Sequence, residues 1–278
     1  MINIGVRAHD FGRMEPHELA ETLSNAGFTT AQLALTKAIT GVESLTDVNS
    51  LMLENIKEAF NKHNVEIGVL GCYMEIGFSD KDARLLEVDK FLTGLSYAKA
   101  VGAKLVGTET TNFTTSSMEG TLSREQTYQN LKDSVLRMTE RAETLGVDIG
   151  IEPVAEHTLN SVELTRRLLD EVNSKRLHVI FDPVNMILTK ADIERQDEIY
   201  KEFTDTLGDD ILALHVKDIV MENGVKLWSA IGKGDVRFTV IADWLRKLGR
   251  SIPILREEIK PESATLDRQA MVEFFGFS

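Results

Sequence analysis

The sequence predicts an α/β fold, a (β/α)8 TIM barrel forming a single domain, on three observations. Short β-rich runs alternate with longer segments of helical period along the whole chain. The β-rich runs are continuously apolar, as in a parallel sheet covered by helices. No Pro/Gly/Ser-rich linker, low-complexity tract or short repeat interrupts them, so residues 1–278 read as one unit. An open doubly wound sheet is the alternative that the same alternation permits.

The elements follow in order. Ile2 to Val6 is the first strand, and Pro16 to Ala26 a helix in which Leu19, Ala20 and Leu23 share one face. Gly27 ends that helix. Thr30 to Leu35 is the second strand, Val48 to His63 a helix, and Val65 to Gly71 the third strand. Leu85 to Val101 is a helix closed by Gly102, and Lys104 to Gly107 the fourth strand. Ser123 to Leu145 is a long helix closed by Gly146, with Ser123 and Gln126 spaced as a capping box. Asp148 to Glu152 is the fifth strand, Val162 to Val172 a helix, and Leu177 to Phe181 the sixth strand. Ile193 to Leu207 is a helix, and Ile211 to His215 the seventh strand. Val236 to Leu248 is a helix, Ile252 to Glu257 the eighth strand, and Asp267 to Phe275 the last helix.

Composition narrows the function. A chain of 278 residues buries a core without staples, and its one cysteine, Cys72, rules out an intrachain disulfide. That usage agrees with a reducing compartment, so a cytoplasmic location is expected. The charge balance is 31 − 44 = −13, which argues against nucleic acid and anionic membranes as partners. No apolar run approaches the roughly 18 residues of a membrane span. The N-terminal MINIGVRAHDFG reads as a strand rather than a signal peptide.

A barrel of this kind builds its active site at the C-terminal ends of its strands. The fifth strand ends in Glu152, the sixth in Asp182 with Asn185 three residues on. The seventh ends in His215 followed by Lys217 and Asp218, and the eighth in Glu257 and Glu258. An acid after a strand is more often a turn or cap residue, and Asp182-Pro183 is a turn dipeptide. Four such residues at one position of four successive strands are another matter. Converging carboxylates repel and are costly to bury unless a cation neutralises them. Carboxylate oxygens with one imidazole suit Mn²⁺, Mg²⁺, Co²⁺ or Zn²⁺. Alternation puts Glu257 and Glu258 on opposite faces, so only one of them can be a ligand.

These segments resemble the xylose isomerase-like TIM barrel superfamily of sugar phosphate isomerases and epimerases. The resemblance runs from GVRAHDFG through GIEP, FDPVN, HVKD and IGKGDVRF to LREEI. It implies that Glu152, Asp182, His215 and Glu257 hold one divalent metal ion, with Glu257 preferred because its strand runs Pro253-Ile254-Leu255-Arg256-Glu257. It further implies Glu152 and Glu257 as catalytic acid and base, and a homo-oligomer, since members often pair. A metal on a carbonyl and a neighbouring hydroxyl acidifies the C–H between them and stabilises the enediolate. The function expected is therefore a metal-dependent enzyme of carbohydrate metabolism, an isomerase or epimerase of a sugar or small polyhydroxy carbonyl compound. Alternatives are an inosose-type dehydratase and a barrel that binds sugar without turning it over. Asn185 stands where some members have a second-metal His, and with six His in all the repair-endonuclease branch is disfavoured.

Glu109, His157, Asn185 and Lys217 are candidates for binding the small-molecule sugar. His157 has an alternative role capping the helix near Asn160, and Lys217 an alternative salt bridge to Asp182 or Asp218. Cys72 reads as a buried hydrophobe. Gly232-Lys233-Gly234 fits neither a P-loop nor a dinucleotide fingerprint.

Overall fold

The apolar runs become strands because their β-branched and aliphatic side chains fit a sheet buried on both faces. The computed structural model describes residues 3–276. Its elements are β1 (Asn3–Arg7), α1 (Pro16–Asn25), β2 (Thr30–Leu33), α2 (Leu35–Ala38), α3 (Ser50–Lys62) and β3 (Glu66–Gly71). Next come α4 (Lys81–Val101), β4 (Leu105–Glu109), α5 (Phe113–Ser116), α6 (Arg124–Leu145), β5 (Asp148–Glu152) and α7 (Val162–Val172). The chain continues through β6 (Leu177–Phe181), α8 (Lys190–Glu194), α9 (Gln196–Leu207), β7 (Ile211–Val216) and a hairpin of β8 (Asp218–Glu222) and β9 (Val225–Ser229). It ends with α10 (Thr239–Lys247), β10 (Pro253–Arg256) and α11 (Ala264–Phe275).

All barrel pairings are parallel, in the closed order β1-β10-β7-β6-β5-β4-β3-β2. Closure excludes the open sheet. The expected start at Ile2 lies outside the described residues. Elsewhere the differences are local. The fourth strand runs on to Glu109, the helix expected from Leu85 begins at Lys81 behind its Asp80 cap, and the helix expected over Ile193 to Leu207 is broken at Arg195. The Ser123–Gln126 capping box forms as expected, with both reciprocal bonds present.

Two apolar layers result. The larger lies between the strands and the helices; the smaller fills the lumen with Val69, Leu105, Ile180, Ala213 and Leu255. Ile180 needs the room left by two glycines: a Cβ on Gly107 or on Gly150 would stand 2.7 Å from an Ile180 carbon. A Gly150→Ala substitution is therefore expected to cost about 1–3 kcal/mol by overpacking. Urea unfolding checks this, and adding Ile180→Val should recover part of the loss.

The β8–β9 hairpin is an insertion after β7 that the alternation did not predict. Its turn is Asn223-Gly224, both at positive φ (49° and 79°), the geometry a tight hairpin turn requires. Lys226 anchors it by donating to the Val184 carbonyl at 3.1 Å. The glycine-rich loop behind it holds a carboxylate of the chain itself. Asp218 Oδ1 accepts from the N–H groups of Ile219 and Val236, and Oδ2 from those of Gly232 and Gly234, at 2.9–3.2 Å. Gly234 passes too close to the Asp218 carboxylate to carry a Cβ.

Candidate active site and metal centre

Every second side chain of a barrel strand points into the lumen. The parity that places Leu105, Ile180, Ala213 and Leu255 at mid-height carries Glu109, Asp182, His215 and Glu257 to the mouth. On β5, β1 and β2 the same parity brings Glu152, Arg7 and Gln32 to that level. Register fixes their heights: Glu109 lies opposite Glu152, and His215 opposite Leu255.

His215 is fully buried at the centre of this ring. Its Nδ1 lies 3.2 Å from Glu152 Oε2 and 3.3 Å from Glu257 Oε1. Both of its ring nitrogens lack an aligned hydrogen bond, and the buried Oδ2 of Asp182 is met by the Lys217 ammonium alone. Donor atoms of Glu152, Asp182 and His215 all lie within 4.8 Å of one another. Buried polar atoms left without partners need an explanation. An imidazole facing several carboxylates is a donor set that a divalent cation satisfies, so these residues fit a metal ion. Glu257 faces inward beside them. Glu258 adopts a left-handed φ of 57° and turns out to Arg7 Nη2 at 2.9 Å, its side chain about a third exposed.

Neighbouring side chains fix these groups. Asn185 Nδ2 donates to Glu152 Oε1 at 2.7 Å. Lys217, nine-tenths buried, stands 2.8 Å from Asp182 Oδ2 and 3.0 Å from Glu257 Oε2. The salt bridge expected for it thus forms with Asp182 and Glu257, while Asp218 serves the loop. Arg7 Nη1 approaches Glu257 Oε2 at 3.5 Å. Gln32 Nε2 donates to Tyr73 Oη and, at 3.4 Å, to Glu257 Oε1. Sequence reasoning misses Arg7 and Gln32, which lie at the ends of β1 and β2, because neither is an acid or a histidine.

The electrostatics differ around the ring. Burial raises the Glu152 carboxyl above its usual range, and His215 only partly offsets this. Burial acts the same way on Glu257, but His215, Lys217 and Arg7 outweigh it and hold that carboxyl well below the usual range. Burial disfavours charge on His215, yet Glu257 and Glu152 prevail and raise the imidazole to about 9.

Glu109 and His157 face each other across the mouth, Oε2 to Nε2 at 4.0 Å. Burial, with Glu152 and Glu257 nearby, pushes the Glu109 carboxyl up to about 8. His157 is not needed as a helix cap, because Ser161 Oγ accepts from Leu164 N–H at the start of α7. Cys72 is buried and its thiol is pushed up to about 12, so it is no nucleophile. Half-exposed Trp228 of β9 overhangs the site, its ring centre 5.7 Å from Lys217 Nζ.

This (β/α)8 barrel gathers acids and an imidazole at its C-terminal mouth, the end at which barrels of this class build their active sites. The chain belongs to the xylose isomerase-like TIM barrel family, whose sequence pattern matches residues 20–273. No curated protein sequence matches it. Among solved structures it is similar to the IolI protein with a binding zinc atom (TM-score 0.77, 17% identity, covering 100% of both chains). It is similar to 3-keto-D-glucoside 4-epimerase from E. coli (0.75, 17%, 100% of both). D-psicose 3-epimerase in the presence of D-fructose is another (0.77, 13%, 99% of this chain and 100% of that one). At these identities the likeness is one of fold. No described helix is long and apolar enough to cross a membrane.

Proposed function

We propose that the protein is a divalent-metal-dependent isomerase or epimerase acting on a sugar or small polyhydroxy carbonyl compound. The observation that carries this reading is the pair of buried carboxylates, Glu152 and Glu257, that meet at Nδ1 of the buried His215. Structural neighbours named as epimerases of a keto-glucoside and of D-psicose support the substrate class. Glu152, Asp182, His215 and Glu257 would hold one ion, of Mn, Mg, Co or Zn. Such an ion supplies Lewis acidity, drawing electrons from a substrate carbonyl so that the adjacent C–H becomes acidic.

The chain's own residues do the rest. One of Glu152 and Glu257 removes the proton from that carbon, and the other returns one to the opposite face. Asn185 holds Glu152 in place through its amide, and Arg7 holds Glu257. Glu109 and His157, facing each other across the mouth, are placed to hydrogen-bond a sugar hydroxyl between them. Lys217 adds positive charge where the oxyanion of an enediolate develops.

The test is to incubate the protein with Mn²⁺ and a panel of ketoses in D₂O. Deuterium should enter at the carbon beside the carbonyl, and the epimer or isomer should appear. Ketose binding with no exchange across the panel would instead identify a barrel that binds without turnover. No affinity for divalent ions at micromolar concentration would remove the metal from the mechanism.

A further inference from the structure

The two oxygens of Asp182 have different tasks. Oδ1 accepts from the backbone N–H groups of Val184 and Asn185, at 2.9 and 3.3 Å, and so caps the turn after β6. Oδ2 is therefore the oxygen that Asp182 has to offer a cation, and Lys217 Nζ stands 2.8 Å from it. The same ammonium donates to Glu257 Oε2 at 3.0 Å, leaving Glu257 Oε1 toward His215. One lysine thus straddles two of the four carboxylate and imidazole groups assigned to the metal.

A divalent ion on Asp182 Oδ2 and an ammonium on the same oxygen repel each other in a buried, weakly screened setting. Lys217 has somewhere else to go. Its Nζ already lies within cation–π reach of the half-exposed Trp228 ring, 5.7 Å from its centre, and can close onto that face on leaving the carboxylates. A lysine suits such a move better than an arginine, because a compact charge on a flexible stem can swing where a planar fork is fixed.

We propose that Lys217 and the divalent cation are alternative partners of Asp182 Oδ2. The ammonium holds the carboxylates together until the metal binds, then swings to Trp228 at the mouth, where it meets substrate. Lys217 is in this sense a positioning residue that sets metal affinity. The proposal rests on the metal-dependent reading above.

Mn²⁺ titrations by calorimetry on wild-type protein and on the Lys217→Met and Lys217→Gln variants provide the test. Both variants should bind Mn²⁺ more tightly than wild type, by about tenfold or more, because a competing charge has been removed. In EDTA both should melt at lower temperature than wild type, since Asp182 and Glu257 lose their counter-ion, and Mn²⁺ should close that gap. In a Trp244→Phe background Trp228 is the remaining tryptophan. Its fluorescence should change on Zn²⁺ addition when Lys217 is present and stay constant in Lys217→Met.

Unchanged or weaker Mn²⁺ affinity in the two variants overturns the proposal while leaving the metal reading intact. So does a wild-type crystal structure with Mn²⁺ in which Lys217 Nζ stays on Asp182 Oδ2, an observation that needs no variant to fold. Failure of the wild-type protein to bind any divalent ion overturns the metal reading, and the lysine proposal with it.

Discussion

Glu152→Gln and Glu257→Gln are each expected to lower turnover by about 10²–10⁴-fold, the range for loss of a general acid or base. The amide keeps the shape and one acceptor oxygen but can no longer take or give the proton. The two variants should differ in stability. At position 152 the new amide can keep its oxygen on Asn185 Nδ2, its NH₂ then facing His215 Nδ1, which retains Glu257 Oε1 as its anion. At position 257 any orientation of the amide sets an NH₂ against Lys217 or beside Gln32, and the charge that holds Lys217 and Arg7 is gone. Both variants should melt below wild type, Glu257→Gln further, because it deprives Lys217, Arg7 and His215 of an anion while Glu152→Gln deprives His215 alone. Isotope exchange separates the catalytic roles. With two residues on opposite faces, each variant should still wash deuterium into one epimer while converting neither. NMR of the two epimers in D₂O reads this directly. Equal loss of exchange from both epimers in one variant, and none in the other, would mean that a single base serves the reaction.

The barrel was legible because parallel strands buried on both faces leave a sequence pattern that survives without any tertiary information. Gly27, Gly102 and Gly146 marked helix ends for the same local reason, and the Ser123 capping box formed as spaced. The hairpin was equally local, since Asn223-Gly224 between alternating residues is a strong turn signal. A frame of βα units does not contain it, because an antiparallel insertion breaks that frame. Missing it also hid Trp228, which no periodicity of the barrel would place over the mouth.

The candidate site was legible on the strands whose final residue was an acid or a histidine. Reading every lumen-parity position at each strand end, whatever its type, would have added Arg7 and Gln32, since both close their strands with the parity of Glu152. What no parity reading supplies is pairing. Asp182, Lys217 and Glu257 come from three strands, and only packing decides that the lysine bridges the two acids instead of turning to Asp218. The task of Asp218 was hidden for a similar reason: besides the adjacent Ile219, three N–H groups from a loop 14–18 residues further on converge on it only after folding.

Asp182→Asn should abolish most of the metal affinity while leaving the barrel folded, and it is a sharper probe than Asp182→Ala. The asparagine oxygen can replace Oδ1 as acceptor for Val184 and Asn185 N–H, so the turn after β6 keeps its cap. Its NH₂ then occupies the place of Oδ2, offering a donor where a cation needs a lone pair. Mn²⁺ affinity should fall by more than about 100-fold, beyond what losing a group that merely supports a ligand costs. Lys217 loses one of its two anions but keeps Glu257, so the stability cost should stay near the 1–3 kcal/mol of one unsatisfied buried group, roughly. Asp182→Ala also strips the cap from two backbone N–H groups, and should unfold at clearly lower urea for the same loss of metal. Calorimetry and urea unfolding on the two variants separate the terms. Wild-type Mn²⁺ affinity in Asp182→Asn would place the cation elsewhere in the ring, on Glu152, His215 and Glu257 without Asp182. In that arrangement Lys217 would have no reason to leave Asp182, so the same measurement bears on both residues.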